Sequence, residues 1–226
     1  YKMMIISDCL NPKAAIVDPD FLVALPPKIA ASTAIDALTH AIESYTSLIA
    51  SPVTDALSLY AIELISKNAP QAIVSNCNLE ATANMAIAST LAGGAMGNTG
   101  LGLVHAIAHA LGGVADMPHG IANSILLPYV MKHNLPAVPE KYAAIGRAMG
   151  VDLKKFNTLE GAKYVCEAII PEFCKIVGVP SKLREVNFDS KLFAMIAEYA
   201  MQDGNFGTNP RVTTKEDILA ILEQAY

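Results

Sequence analysis

The sequence predicts a mainly α chain, in which an all-helical domain follows a short strand-bearing segment. From about Ile29 to the end of the 226-residue chain, apolar residues recur at the spacing of one helix face. Gly, Pro and Asn separate the periodic stretches, as they do between helices. Hydrophobic residues make up 53% of the chain, which is enough to bury a large core. We therefore place the helical domain at residues 29–226 and the strand-bearing segment at residues 1–28.

Two short strands are expected at the N-terminal end. Residues 3–7 and 14–17 are short apolar runs, and the DCLNPK stretch between them has the composition of a turn. The strand-bearing segment ends with LPPK, residues 25–28, after which the pattern changes to helical periodicity.

Nine helices are expected after that point, each a periodic apolar stretch between start and stop residues. Ser51 suits the cap of the second helix, with Pro52 at its first position. Thr213 or Thr214 suits the cap of the last helix, whose first turn is acidic. The expected helices cover residues 31–49, 52–68, 79–97, 101–112, 119–133, 139–149, 159–177, 189–201 and 214–225.

The charge balance excludes a nucleic-acid partner. Only 16% of residues are charged and the formal net charge is −5, so the sequence offers no basic patch for phosphates. A small-molecule partner fits this composition better. The four cysteines (Cys9, Cys77, Cys166 and Cys174) are far apart without a C-x-x-C pair, which indicates a reducing compartment, and we expect the cytoplasm.

Residues 81–115 contain no Asp, Glu, Lys or Arg, which raises the question of a membrane span. Polar residues and repeated glycines interrupt this stretch, so it is typical of helices buried in a bundle, and no membrane association is expected. The chain begins at Tyr1 without a signal-peptide pattern, and we expect it to be a piece of a longer polypeptide.

The stretch DALTHAIES contains the first candidate metal ligands. Asp36 and His40 are four residues apart, so on a helix they lie on one face and could share a cation. A hydrogen bond between the two side chains is the commoner reason for this spacing. The pair by itself is therefore not evidence for a metal.

Residues 100–120, GLGLVHAIAHALGGVADMPHG, contain three of the five histidines of the chain. His105 and His109 repeat the four-residue spacing, and His119 follows Pro118, which suits the first turn of a new helix. Three imidazoles and one carboxylate would suit a divalent transition metal with an open position. Each histidine could instead be a hydrogen-bonded core residue. Burying the whole set without a cation or complete hydrogen bonding would cost several kcal/mol, which favours a ligand cluster.

Other catalytic motifs are absent from the sequence. It contains neither a G-x-G-x-x-G nor a G-x-x-x-x-G-K-[ST] phosphate loop, and no G-x-S-x-G nucleophile motif. None of the cysteines lies next to a histidine. The glycines around the histidines serve either helix packing and capping or the close approach of a ligand.

Two long stretches resemble the signatures of the iron-containing alcohol dehydrogenase family, also called group III. AIVDPDFLVALPPKIAASTAIDALTHAIE, residues 15–43, fits the first signature along its whole length. GLVHAIAHALGGVADMPHGIA, residues 102–122, fits the second, including the spacing of its histidines. NFGTNPR, residues 205–211, resembles a C-terminal element of the family. The resemblance covers essentially the whole chain.

The resemblance implies which side chains hold the metal. Asp36, His40, His105 and His119 match the family's metal ligands. His109 matches a catalytic residue that is not a ligand and lies beside the nicotinamide and the substrate. Spacing alone leaves open whether His105 or His109 is the ligand, so this assignment depends on the resemblance.

The resemblance also implies contacts with the cofactor and the substrate. Lys2 matches a lysine that contacts the dinucleotide in relatives, and His109 is expected beside the same cofactor. Met96, Asn205 and Phe206 match positions that line the alcohol pocket.

The implied fold is an all-helical metal-binding domain that is similar to dehydroquinate synthase. Residues 1–28 would be the remnant of an N-terminal α/β nucleotide-binding domain, whose G-G-G-S and T-T-x-G-T segments do not occur in this chain. The implied reaction is hydride transfer between a primary alcohol or diol, or its aldehyde, and NAD or NADP, with Fe²⁺ as Lewis acid. A homodimer is expected from the same resemblance.

Three alternatives remain open. Nitrogen and oxygen ligands accept Zn²⁺ as readily as Fe²⁺, so a zinc polyol dehydrogenase of the glycerol type fits the same residues. A lyase similar to dehydroquinate synthase shares the implied fold. A non-enzymatic helical metal-binding module fits a chain without the nucleotide-binding segments.

Overall fold

The computed structural model describes residues 2, 5, 7–10, 12–74 and 78–226, and it is built from helices linked by turns. These helices are α1 (Asp20–Val23), α2 (Pro27–Thr46), α3 (Pro52–Val74), α4 (Leu79–Thr99), α5 (Leu103–Ala115), α6 (His119–Asn134), α7 (Pro139–Ala148), α8 (Thr158–Tyr164), α9 (Ile170–Val177), α10 (Phe193–Met201) and α11 (Lys215–Ala225). The described residues contain no strand, so the expected all-helical domain is confirmed.

Each stretch predicted to be helical is helical, with ends that differ by at most six residues. Helix α2 begins at Pro27 rather than residue 31, because proline is well suited to the first helical position. Helix α3 continues past Pro70 to Val74, where the burial of Ala69 and Ile73 holds its last turn against the core. Tertiary packing therefore outweighs the local stop signal there.

The helix predicted at residues 159–177 is interrupted by a π-helical segment, Val165–Ile169, between α8 and α9. Pro171 follows directly after the first residue of α9. Proline lacks the N–H that an α-helix uses, and its ring clashes with the carbonyl four residues earlier. A wider helical turn before the proline relieves this clash.

The strand prediction for residues 14–17 is wrong. These residues have no regular structure and are all exposed, and 95% of Ile16 is accessible to solvent. An apolar run forms a strand only when another strand hydrogen-bonds to it, and no such partner lies among the described residues. The strand predicted at residues 3–7 falls mainly on Met3, Met4 and Ile6, which lie outside the described residues.

Helix α5 is the central helix of the bundle. Its residues 103–111 are all buried, and it packs against α6 and α10. Helices α2, α3 and α4 pack against one another, and α6 lies between α2 and α11. A helix that is apolar all round belongs in a protein interior, which explains the charge-free sequence of α5. Across the described ranges, no helix is long and apolar enough to span a bilayer.

Three cysteines in the described part of the chain are free thiols. Cys9 is exposed, whereas Cys166 and Cys174 are buried. Burial raises the pKa of both buried thiols to about 12. Cys77 lies outside the described residues.

Candidate metal centre

Four side chains from three helices meet at one point of the structure. Asp36 and His40 lie on α2, His105 lies near the start of α5, and His119 is the first residue of α6. One ligand atom from each side chain lies within 4.8 Å of the other three. The structure therefore brings together all four residues that the sequence singled out as ligands.

The spacing of these atoms fits a single cation. Asp36 Oδ1 lies 3.9 Å from His40 Nε2 and 3.6 Å from Nε2 of both His105 and His119. These separations are too long for hydrogen bonds. Ligands that bind a metal at about 2.1 Å in a tetrahedral arrangement lie about 3.4 Å apart. One carboxylate and three imidazoles at this spacing are a donor set for a divalent transition metal.

The cluster is closed on one side and open on the other. The His105 side chain is only 1% exposed, whereas those of His40, Asp36 and His119 are 20%, 22% and 26% exposed. A catalytic metal site needs three or four protein ligands and one position that a substrate can reach. The partial exposure of three ligands supplies such an approach.

A close contact between α6 and α2 places His119 in the cluster. Gly120 lies so near α2 that a Cβ atom at this position would be 2.6 Å from the backbone oxygen of Ser32. Ser32 is one helical turn before Asp36. The absence of a side chain at Gly120 therefore lets the first residue of α6 reach the carboxylate on α2.

Glu43 binds the cluster from its buried side, and sequence reasoning assigned it no role. Its side chain is 5% exposed, and its Oε2 lies 2.6 Å from Nδ1 of His105. The same carboxylate accepts hydrogen bonds from the backbone N–H groups of Gly102 and Val104, at 3.0 Å and 2.6 Å. Glu43 lies seven residues after Asp36, two helical turns along one face, which is a signal the sequence did contain.

Asn123 touches three of the four candidate ligands and was also missed. It lies on α6 one turn after His119, and its Nδ2 is 2.5 Å from Asp36 Oδ1. The same atom lies 3.1 Å and 3.2 Å from Nε2 of His105 and His119. Asn123 therefore donates to Asp36 and lies against the ring nitrogens of His105 and His119 that face the cluster. Asn123 Oδ1 and His119 Nδ1, the opposite atoms of these two side chains, are buried without a hydrogen-bond partner among the described residues.

The two histidines on the open side of the cluster, His40 and His119, have lowered pKa values. Burial, with repulsion from His105, lowers the pKa of His40 to about 4. Burial outweighs the attraction of Asp36 and lowers the pKa of His119 to about 4. Both imidazoles are therefore neutral near pH 7, which is the state that binds a metal.

On the buried side of the cluster, the contacts favour the charged forms of Asp36 and His105. Burial disfavours the charged form of Asp36, but its contact with His105 and the nearby histidines outweigh burial and lower its pKa. Burial likewise opposes protonation of His105, yet contacts with Asp36 and Glu43 raise its pKa to about 9. A metal bound here would displace the proton from His105.

His109 lies beside the cluster rather than in it. Its ring centroid is 5.2 Å from that of His119 and 6.0 Å from that of His105. Its Nδ1 lies 2.8 Å from Oδ2 of Asp203, and both side chains are almost fully buried. Asp203 Oδ1 also accepts the backbone N–H of Asn205 at 2.9 Å. Sequence reasoning missed Asp203, since nothing local links it to a histidine 94 residues earlier.

The structure places Lys2 close to the same region. Its Cδ lies 3.8 Å from the position that a Cβ atom on Gly112 would take, one turn after His109. Its charge also acts on His119, whose protonation it disfavours. The side chain itself is exposed.

Two of the three residues expected in the substrate pocket, Met96 and Asn205, contact the loop before α5. Met96 is half-buried near the end of α4, and its carbonyl accepts the N–H of Gly100 at 2.9 Å. Asn205 is buried, and its Oδ1 accepts the N–H of Leu101 at 3.3 Å. Phe206 is partly buried against the core.

The NFGTNPR stretch fixes the start of α5. Asn209 Oδ1 accepts the N–H of Leu103 at 3.3 Å and the side-chain amide of Asn134 at 2.8 Å. The guanidinium of Arg211 donates to the carbonyl of His133, near the end of α6. The C-terminal element therefore holds together two of the helices that carry candidate ligands.

The chain is similar to known proteins over nearly its whole length. A family model described as "Fe-containing alcohol dehydrogenase family, C-terminal" matches residues 30–226. The chain is 44% identical over 225 residues to 1,3-propanediol dehydrogenase of Klebsiella pneumoniae, covering 100% of this chain and 58% of that protein. It is 38% identical over 224 residues to NAD-dependent methanol dehydrogenase of Bacillus methanolicus, covering 99% of this chain and 58% of that protein.

A solved structure gives the same result in three dimensions. The crystal structure of a 1,3-propanediol oxidoreductase matches with a TM-score of 0.91 and 45% sequence identity, over 92% of this chain and 55% of that one. The chain thus spans a little over half the length of these relatives. The family match includes every residue of the cluster, and the fold matches that of the 1,3-propanediol oxidoreductase. The chain therefore belongs to the Fe-containing alcohol dehydrogenase family.

Proposed function

We propose that this chain is the metal- and substrate-binding part of an NAD- or NADP-linked alcohol dehydrogenase. The substrate class is a primary alcohol or diol and the matching aldehyde. The observation that carries the proposal is the half-open cluster of one carboxylate and three imidazoles, with a buried His109–Asp203 pair beside it. Relatives named for 1,3-propanediol and methanol support the same substrate class.

Asp36, His40, His105 and His119 are the proposed ligands of one divalent metal. Fe²⁺ is the proposed ion, because the family is named for it, and the same donor set also accepts Zn²⁺. When bound, such an ion supplies Lewis-acid stabilisation of negative charge on the alcohol oxygen, an effect of several kcal/mol.

His109 is proposed to handle the proton of the alcohol. Asp203 accepts the Nδ1–H of His109, so the lone pair of the neutral ring is on Nε2. Alcohol oxidation releases one hydride to the nicotinamide and one proton, and Nε2 takes up that proton. In aldehyde reduction the same atom returns it. Because His109 is buried and held by Asp203, its ring keeps one orientation through both directions.

We propose the roles of the remaining site residues from their positions in the structure. Met96, Asn205 and Phe206 line the alcohol pocket: Met96 and Asn205 contact the loop before α5, and Phe206 follows Asn205 in the chain. Lys2 contacts the dinucleotide, as its charge lies near His119 and the end of α5. His109 contacts the nicotinamide as well as the substrate.

We also propose the wider context of the chain. Residues 1–28 belong with a nucleotide-binding domain, whereas residues 29–226 form the helical metal- and substrate-binding domain. The protein acts as a homodimer in the cytoplasm. The low charge and the thiols that remain unpaired among the described cysteines support a reducing compartment and a small-molecule partner.

The test is alcohol-dependent reduction of NAD and NADP by the polypeptide that carries this chain. The panel contains 1,3-propanediol, methanol, ethanol and glycerol, with metal content measured on the same sample. We expect about one Fe or Zn per chain and turnover of at least one primary alcohol. The Asp36→Ala variant serves as the metal-free control. A wild-type protein that binds metal but oxidises no alcohol would overturn the proposed reaction and favour a lyase or a binding module.

A further inference from the structure

We propose that Glu43 is the positioning residue of the metal centre: it fixes the ring of His105 and caps the helix that carries it. The proposal rests on the metal centre described above and assigns to it a residue that does not itself touch the ion. Glu43 and the ligands Asp36 and His40 lie on one face of α2, so one helix supplies two ligands and the support for a third.

Helix α5 begins without a capping side chain of its own. The first N–H groups of a helix have no partner within the helix, and their positive ends attract a carboxylate. The N-cap residue of α5 is Gly102, which has no side chain to accept them. Glu43 accepts the N–H groups of Gly102 and Val104 instead, and the N–H of His105 lies 3.4 Å from its Oε2. A carboxylate from another helix therefore takes the place of the missing cap.

Gly102 lies too close to Glu43 to carry a side chain. A Cβ atom at this position would lie 2.8 Å from Glu43 Oε1 and 3.3 Å from Asn209 Oδ1. A real Cβ atom essentially never approaches another heavy atom so closely. The glycine thus makes room for the Glu43 carboxylate, and the two positions act together.

Glu43 also contacts the imidazole of His105. Oε2 of Glu43 lies 2.6 Å from Nδ1 of His105, within an almost fully buried pair. A carboxylate accepts only, so Nδ1 carries the hydrogen and the lone pair of the neutral ring is on Nε2. Nε2 is the atom that lies 3.6 Å from Asp36 Oδ1, inside the cluster. Partners of this kind orient a ligand histidine and raise its affinity for the metal.

The test is zinc affinity of the full chain, with Glu43→Gln compared with the wild type. Glutamine keeps the shape of the side chain but has one acceptor oxygen, so its NH₂ group must face a donor from α5. We expect the affinity for Zn²⁺, measured by competition with a chelator on chelator-stripped protein, to fall about 10- to 100-fold. The visible spectrum of the Co²⁺-loaded variant should shift as well, because the ligand field changes.

The matched control is Asn209→Ala. Asn209 accepts the N–H of Leu103 at the same end of α5 but touches none of the candidate ligands. This variant should lower the melting temperature of the metal-free protein and leave the zinc affinity within about twofold of the wild type. It therefore separates damage to the helix start from damage to the metal centre.

Each outcome decides a different point. If Glu43→Gln lowers the melting temperature but binds zinc as tightly as the wild type, Glu43 is only a cap and the inference is overturned. If the wild type binds no zinc, the metal centre and the inference fall together. If the variant does not fold, the proton NMR spectrum of the zinc-loaded wild type tests the role of Glu43. The His105 Nδ1 proton should then be shifted far downfield and protected from exchange, and a rapidly exchanging proton contradicts the role of Glu43.

Discussion

His109 and Asp203 are 94 residues apart in the sequence, yet Nδ1 of the one lies 2.8 Å from Oδ2 of the other. Both side chains are buried, with 7% and 4% of their surface exposed. Asp203 uses its second oxygen to accept the N–H of Asn205, so both of its oxygens have donors. This pair lies directly beside the candidate metal ligands, and its contribution can be measured separately from theirs.

Asp203→Asn should lower kcat while the metal stays bound. Asparagine has one acceptor oxygen for two donors, so either His109 or the backbone of Asn205 faces an NH₂ group and the ring loses its fixed orientation. We expect roughly a 100-fold loss of kcat. Steady-state kinetics and metal content on the same preparation check it. Loss of the metal, or unchanged kcat, would show that Asp203 acts differently.

His105→Asn and His109→Asn should have opposite effects, although both positions lie on α5 one turn apart. His105 has its Nε2 at the cluster, whereas His109 is held by Asp203. We expect the first variant to lose bound metal and the second to keep it but lose turnover. Elemental analysis and alcohol oxidation distinguish them. The reverse pattern would mean that the wrong histidine had been assigned as the ligand.

Gly120→Ala should destabilise the protein, whereas Gly94→Ala should not. The new Cβ atom at Gly120 would be 2.6 Å from the backbone oxygen of Ser32, but at Gly94 it would meet nothing within 4 Å. We expect a loss of about 1–3 kcal/mol for the first change. The second should stabilise α4 by about 0.5–1 kcal/mol, because alanine favours a helix. Urea unfolding of the metal-free proteins measures both, and equal midpoints would contradict the close contact between α6 and α2.

The two buried thiols should resist alkylation. Burial raises the pKa of Cys166 and Cys174 to about 12, so neither forms the reactive thiolate at pH 8 to 9.5. Their folded-state pKa lies above the ordinary value near 9, so their contribution to stability is complete below pH 9 and is lost as the pH rises toward 12.

Iodoacetamide labelling read peptide by peptide checks this prediction. The exposed thiol of Cys9 should react first. The Cys166 and Cys174 peptides should react only after the protein is unfolded in guanidinium, which is the positive control. Labelling of either peptide in the native protein at the rate of Cys9 would contradict their burial.

The sequence was most informative where structure depends on nearby residues. Helix periodicity and caps located the helices, and four-residue spacing placed Asp36 with His40 on one face. The resemblance to a family then selected His105 rather than His109 as the candidate ligand, a choice that helix geometry alone left open. The structure places His105 at the cluster and His109 beside it.

What the sequence did not predict depends on which distant segments pack together. Glu43 reaches α5 across 59 to 62 residues, and Asn123 reaches Asp36 across 87. The seven-residue spacing places Glu43 on the helix face of Asp36, but no local pattern shows which distant segment packs against that face. The wrong strand at residues 14–17 has the same cause, since β-pairing needs a partner from elsewhere and a short apolar run does not supply it.

The hydrogen bonds that fix the start of α5 need a segment of the chain that is synthesised much later. Leu101 and Leu103 bind Asn205, Thr208 and Asn209, which follow 104 to 107 residues later. At ordinary rates of translation this delay is roughly 5–20 s. His105 therefore leaves the ribosome well before the groups that hold its helix. Asp36 and His40 lie within one helix, whereas the start of α5 gains these partners only when the end of the chain has been made.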